Sequence, residues 1–179
     1  MGSHSKYTPD VPAGTSSALT CPESGARMQL VPRTRDEVRA TLAVLPPEVR
    51  AQMSPHWLAL LEKSAPQDPW VHGFHVVDDT GLTVGLGGFK GPPVDGMVEI
   101  AYAIEPEQQG KGYATAAARA LVAFAFASGQ VRVVCAHTLP EGIASQRVLL
   151  KSGFVKTGEV VDPEDGLVWR FELNASARR

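Results

Sequence analysis

The stretch that decides the fold is EIAYAIEPEQQGKGYATAAARALVAF, residues 99–124. Its first six residues alternate as in a β-strand, which places Glu99 on the same face as two alanines. Two glycines then flank Lys111, and an alanine-rich helix is predicted from Tyr113 onward. Glycines before a helix N-terminus let an anion such as a pyrophosphate approach free backbone N–H groups. A simple chain reversal explains the same glycines, so the loop alone leaves both interpretations open.

Two common nucleotide-binding motifs do not fit this loop. A P-loop requires Ser or Thr directly after the Gly-Lys pair, but Gly112 follows Lys111. A dinucleotide fingerprint requires a third Gly or Ala at the position of Thr115. It also requires the loop to follow directly after the first strand of a βαβ unit. Neither a P-loop nor a dinucleotide-binding motif is therefore predicted.

Composition bounds the class of protein. A chain of 179 residues suits one domain, and 17 Lys and Arg against 19 Asp and Glu predict neither nucleic acid nor a membrane as a partner. The two cysteines do not make a disulfide framework, which favours a reducing, cytoplasmic location. The most apolar run, residues 114–127, is interrupted by Arg119 and is too short to span a bilayer.

Turn and capping signals divide the chain into a leader over 1–26, a domain over 27–173 and a tail over 174–179. Helix starts are predicted at Thr34, which has Glu37 three residues later, and at Ser54, which precedes a proline. The remaining pattern is a three-stranded meander, the helix at Tyr113, and then strand, helix and hairpin. The predicted strands are 27–32, 70–78, 82–89, 97–104, 131–137, 154–161 and 166–173, and the last helix is 141–152.

Two motifs resemble a known family. Gln109, Gly112 and Ala114 match the Q/R-x-x-G-x-G/A loop of the GCN5-related N-acetyltransferases (GNAT). Residues 136–154, AHTLPEGIASQRVLLKSGF, are similar to a stretch of the ribosomal-protein alanine acetyltransferase (RimJ/RimL-like) branch. The resemblance covers residues 27–173. It implies an α/β (α+β) fold with a mixed, mostly antiparallel sheet that is splayed between strands 4 and 5 and has helices on both faces.

The resemblance also implies a cofactor, acetyl-CoA, held between the splayed strands. Its pyrophosphate is expected on the N–H groups of the glycine loop, where Lys111 adds positive charge at the mouth. The residues expected to bind the cofactor belong to this loop, to the end of the fourth strand, to the start of the helix at Tyr113 and to the last helix. They are Ile104, Gln109, Gly110, Lys111, Gly112, Tyr113, Ala114, Thr115 and Ser145.

Two residues are catalytic candidates. Acetyl transfer to an amine needs a proton acceptor, a donor for the developing oxyanion and a proton for the departing thiolate. Glu99 is predicted to take the amine proton, with an outward-facing strand carboxylate as the alternative. Ser145 is expected either to donate to the sulfur or only to hydrogen-bond it, unless it bonds back to its own helix. Leu149 stands where many relatives carry a tyrosine donor, and Gly142 replaces the usual asparagine.

The function predicted is an acetyl-CoA-dependent N-acetyltransferase in which a primary amine attacks the thioester directly. A CoA-binding sensor with a decayed site, and an acyl group other than acetyl, are the alternatives. The acceptor is expected to be a small-molecule amine or a protein N-terminus. A polyamine is disfavoured, because the acceptor segment 46–76 has three acids opposed by Arg50 and Lys63. Since many family members pair, a homodimer is a further expectation.

Two histidine pairings suggest other chemistry. Cys135 and His137 share a strand face and would suit a covalent acetyl-cysteine route, although a buried apolar Cys is the commoner outcome. His72 and His75 are three apart on a predicted strand, which directs them to opposite faces. No metal site is therefore predicted.

Overall fold

The computed structural model describes residues 26–163 and 166–178, so the predicted leader lies outside the described residues except for Ala26. Seven strands and six α-helices make up this part of the chain, with 3-10 turns at Pro106–Gln108 and Ala175–Arg178. The helices are α1 Arg35–Val44, α2 Pro47–Arg50, α3 Pro55–Lys63, α4 Pro69–His72, α5 Tyr113–Ala127 and α6 Ile143–Lys151. The strands are β1 Met28–Pro32, β2 Phe74–Asp78, β3 Thr83–Phe89, β4 Met97–Ile104, β5 Val133–Thr138, β6 Val155–Asp162 and β7 Gly166–Asn174.

All seven strands form one sheet in the order β1-β2-β3-β4-β5-β7-β6. Every neighbouring pair is antiparallel except β4 and β5, which are parallel and pair only from Met97 to Glu99. Beyond Glu99, β4 continues beside β3 to Ile104 while β5 continues beside β7 to Thr138. The two central strands therefore separate, which confirms the predicted splay and opens a gap in the middle of the sheet.

The long helix α5 covers one face of this sheet. Val98 and Ile100 of β4 are buried in the same core cluster as Leu121 of α5. The helix lies close to the sheet at Gly87 of β3, where an added Cβ would be 3.2 Å from the Leu121 side chain. The opposite side-chain face of β4 carries Glu99, as the period of two predicts.

The helices before β2 form a separate layer. Thr34 makes the predicted capping box with Glu37, and the Ser54 hydroxyl accepts from the Trp57 N–H at the start of α3. Val38, Leu61 and Val71 pack together in a core cluster of their own. This layer walls an open cleft on the Glu99 side of the sheet.

The predicted strand 70–78 is wrong in its first third. Residues 69–72 form α4, because Pro69 occupies its first position and the Asp68 carboxylate accepts from the Trp70 N–H at 3.0 Å. Gly73, with a positive φ of 66°, ends the helix, and an added Cβ there would be only 2.7 Å from the Gly87 carbonyl oxygen.

His72 and His75 therefore lie in different elements, α4 and β2. His72 belongs to α4, where its ring accepts from the Asp68 N–H at 3.0 Å and lies 2.7 Å from the Ser64 hydroxyl. Burial lowers the pKa of His72, with the nearby Asp68 carboxylate opposing the shift. Its surroundings are those of a neutral histidine that holds a helix in place.

Candidate active site

The glycine loop presents the N-terminus of α5 without a side-chain cap. Gly110 and Gly112 both have positive φ, 75° and 89°, a conformation that glycine adopts readily. Gly112 is the N-cap and has no side chain that could accept a hydrogen bond. The N–H groups of the first turn can therefore donate to a ligand at the loop. Lys111 is exposed beside them and donates to the Gln108 side chain at 2.8 Å. The loop has the construction expected of an anion site.

Gln109 couples this loop to the end of β4. Its side-chain amide donates to the carbonyl oxygen of Ile104 at 3.0 Å. The N–H of Lys90 donates to the Glu99 carbonyl, and the N–H of Glu105 donates to the Val84 carbonyl. In an antiparallel ladder backbone groups alternate in direction, so the N–H of Ile104 is directed away from β3, toward the gap beside β5.

The gap between β4 and β5 is a cavity of about 350 Å³. Ala136 and Thr138 of β5 line it together with Ser145 of α6. Ser145 is exposed, and within the described residues its hydroxyl has no hydrogen-bond partner, so it does not bond back to its helix. Leu149 is buried in the core and also lines the cavity.

The loop before α6 is arranged without the asparagine that the branch usually has. At Gly142 an added Cβ would be 3.0 Å from the Leu139 carbonyl oxygen, so a larger residue would have to displace the loop. The Gln146 side chain donates to the carbonyls of Leu139 and Pro140 at 3.0 and 2.9 Å. Gln146 thereby fixes this loop from within the helix.

A second cavity of about 640 Å³ lies between the helical layer and the sheet. Trp57 and Met53 form its apolar wall, and Ala101 and Ala103 of β4 keep its floor open. Trp57 is fixed by its indole N–H, which donates to the Val71 carbonyl at 3.1 Å. The predicted acceptor segment thus contributes a wall of this cleft.

Glu99 lies where these cavities meet. It lines the gap, the cleft and a third cavity of about 710 Å³ that extends along β5 past Cys135. The Lys90 ammonium is 2.8 Å from the Glu99 carboxylate, whose side chain is 20 % exposed. His137 Nδ1 lies 3.0 Å from the same oxygen, but neither ring nitrogen has hydrogen-bond geometry to a partner in the described chain. Glu99 is therefore a half-buried carboxylate that is paired with Lys90 at the junction of three cavities.

Two residues of this centre were missed from the sequence. They are Lys90, which follows the predicted strand 82–89, and Arg33, which lies between the predicted first strand and the helix start at Thr34 and also lines the cleft. The signal for Lys90 is the register of the meander, because Phe89 pairs with Ile100 and Lys90 is therefore opposite Glu99. Nothing in the local sequence brings Arg33 to the cleft.

Cys135 does not have the properties of a nucleophile. Burial, together with the negative charge of Glu99, raises the pKa of its thiol to about 11. At neutral pH a thiol with that pKa is about one part in ten thousand thiolate, and the thiolate is the reactive form.

We therefore expect Cys135→Ala to retain turnover. The change removes a buried sulfur at the floor of the third cavity, so a fall in thermal stability is expected with kcat within about twofold of wild type. Steady-state kinetics with the pH held constant check this. Loss of turnover in a variant that still folds and binds its cofactor would restore the covalent acetyl-cysteine route.

Two general features complete the description. In residues 26–163 and 166–178, no three His, Cys, Asp or Glu side chains are grouped closely enough to hold a metal ion. Each helix in the same ranges is too short or too polar to cross a lipid bilayer.

The chain matches one family model and several known proteins. The family is the acetyltransferase (GNAT) domain, matched over residues 23–155. The uncharacterized N-acetyltransferase YjdG of Bacillus subtilis (strain 168) is 34 % identical over 89 residues, which cover 49 % of this chain and 51 % of that protein. The chain thus spans about half the length of the curated relative that it matches.

Solved structures agree on the fold. The aminoglycoside acetyltransferase AAC(6')-Ib, in complex with coenzyme A and kanamycin, has a TM-score of 0.62 and 20 % identity over 84 % of this chain and 96 % of its own. The spermidine N-acetyltransferase of Vibrio cholerae, in complex with CoA and spermine, has a TM-score of 0.62 and 17 % identity, with coverage of 84 % and 96 %.

The chain belongs to the GNAT acetyltransferase family. The predicted family and fold are confirmed, and the match agrees with the predicted enzyme class, N-acetyltransferase. The finer assignment to the ribosomal-protein branch rests on the sequence motif alone.

Proposed function

We propose that this chain is an N-acetyltransferase that carries an acetyl group from acetyl-CoA to a primary amine by direct attack. The observation that carries the proposal is the position of Glu99, whose carboxylate lines both the gap in the sheet and the cleft beside it. One cavity suits a thioester and the other suits an amine. A single carboxylate reaches both.

The residues present fit acetyl-CoA. Gly110 and Gly112 leave the first N–H groups of α5 open to a pyrophosphate, and Lys111 adds a cation beside them. Tyr113, Ala114 and Thr115 form the first turn of that helix and complete the predicted binding set. When bound, acetyl-CoA supplies an acetyl group already activated as a thioester.

The protein's own groups have separate tasks. Glu99 takes the proton of the amine, directly or through one water molecule. The Ile104 N–H donates to the acetyl carbonyl oxygen as negative charge develops on it. The Ser145 hydroxyl lies at the gap and donates to the sulfur, in keeping with the ribosomal-type motif. A cytoplasmic location remains part of the proposal, supported by the buried free thiol of Cys135.

The charges of the cleft favour an acceptor with a single amine. In its described lining, Arg33 and Lys90 stand against Glu99 and Asp162, so the cations balance the acids. A polycation binds best where acids are in excess. We therefore favour an acceptor that carries a single amine, such as a monoamine or a protein N-terminus, over a polyamine or an aminoglycoside.

Thiol release from acetyl-CoA tests this proposal. The panel compares short peptides with free N-termini and alkyl monoamines, which carry one positive charge, with the polycations spermine and kanamycin. We expect a kcat/KM at least about tenfold higher for the best monoamine or peptide, which corresponds to about 1.4 kcal/mol. A preference for the polycations would contradict the acceptor class. If acetyl-CoA binds but none of the amines causes thiol release, the transfer activity is contradicted.

A further inference from the structure

The active site already contains a primary amine. Lys90 directly follows β3, and its backbone N–H donates to the Glu99 carbonyl at 3.0 Å. Its side-chain nitrogen is 2.8 Å from the Glu99 carboxylate. That carboxylate is the group assigned above to take the proton of the acceptor amine. The Lys90 nitrogen therefore lies where the nitrogen of an acceptor amine is expected.

Lys90 also reaches the cavity assigned to the thioester. It lines the gap between β4 and β5 as well as the cleft and the third cavity. Its side chain is 48 % exposed and carries its nitrogen on a flexible four-carbon stem. Among the lysines that the structure describes, Lys63, Lys111, Lys151 and Lys156 line none of these three cavities.

We propose that Lys90 is a site of self-acetylation, used when acetyl-CoA is bound and no acceptor is present. This inference rests on the proposed function. The Lys90 ammonium gives one proton to Glu99, and the neutral nitrogen then bonds to the acetyl carbon while the carbon–sulfur bond breaks. The sulfur leaves as thiolate and takes up a proton. One ammonium and one thioester yield one amide, one thiol and one proton, which leaves Glu99 for solvent.

Acetylation at this place limits the enzyme's own activity. The amide has no positive charge, so the ion pair with Glu99 is lost. The added acetyl group stays at the junction of the gap and the cleft, where an acceptor amine has to lie. We expect the modified protein to bind acetyl-CoA and amines less well than the unmodified one. Substrate amines protect the enzyme because they compete for the same carboxylate.

The experiment follows acetylation by mass. The purified chain is incubated with acetyl-CoA and no amine, and intact mass and peptide mapping are recorded over time. We expect one acetyl group per chain, at Lys90, with a rate on the order of 100-fold above that at exposed Lys63, which reports uncatalysed acetylation. Lys90→Arg, which keeps the charge but has no comparable nucleophile, is expected to lose this modification. Glu99→Gln is expected to slow it to the rate of Lys63.

Two outcomes overturn the inference, and they differ in what else they overturn. If Lys90 is acetylated no faster than Lys63 while thiol release to an added amine proceeds normally, the self-acetylation is wrong and the proposed function stands. If calorimetry detects no binding of acetyl-CoA, the proposed function fails and the self-acetylation fails with it. Binding and thiol release are therefore measured on the same protein samples.

Discussion

Replacing Glu99 with glutamine is expected to lower kcat by about 10²- to 10⁴-fold, the range that a positioned general base contributes. The glutamine has nearly the same size but accepts no proton, so the amine must lose its proton to solvent. Acetyl-CoA binding is expected to change little, because the loop proposed to hold the pyrophosphate lies at the other end of β4. Thiol-release kinetics and calorimetric titration of the same variant separate the two effects.

Glu172 offers a closely matched control. It is also a strand carboxylate, with its side chain 22 % exposed and the Arg170 guanidinium 2.7 Å away. It lines none of the three cavities that meet at Glu99. Glu172→Gln therefore removes a paired carboxylate of similar burial that lies two strands from Glu99, on the far side of Cys135. Equal losses of kcat in the two variants would show that Glu99 acts through structure alone.

Replacing Gly112 with valine is the second large expected effect, and it concerns binding. A residue with a Cβ pays about 1–3 kcal/mol to keep the φ of 89° that Gly112 has, and a β-branched side chain lies at the upper end. The loop of the variant is expected to relax to another conformation. CoA binding must then restore the conformation of the wild-type loop, and the strain energy is subtracted from the free energy of binding. The Kd for CoA should rise about 5- to 150-fold. Calorimetry measures this directly.

The other end of the same helix supplies the control for this variant. Gly129 follows α5 with a φ of 71°, and an added Cβ there would meet nothing within 4 Å. Gly129→Val introduces comparable backbone strain far from the loop. We expect a lower melting temperature with an unchanged Kd for CoA. A Kd that rises equally in both variants would contradict the assignment of Gly112 to the anion site.

Local signals in the sequence were sufficient for most of the fold. Each of these signals acts on the backbone within a few residues of its own position. They are the alternation around Glu99, the capping residues Thr34 and Ser54, and the glycines before Tyr113. Their physics is the same in a peptide as in the folded chain. The splay of the sheet was also predicted, but from the resemblance to a family and not from those signals.

Other features depend on tertiary structure. The helix Pro69–His72 is an exception, because Asp68 and Pro69 are local capping signals that outweigh the strand propensity of the segment. The ion pair of Lys90 with Glu99 depends on strand register, which the turn between β3 and β4 sets. Arg33 lines the cleft together with residues that are distant in the chain, such as Trp57 and Tyr102. No local pattern carries that information.

The measurement that tests the central claim most directly is a crystal structure of the chain with CoA. The account predicts the pyrophosphate on the N–H groups that follow Gly110 and the pantetheine arm between β4 and β5. The thiol is then expected in the gap, with Ser145 on one side and Glu99 on the other. CoA bound outside the gap, or a sheet in which β4 and β5 pair beyond Glu99 and close it, would contradict the account.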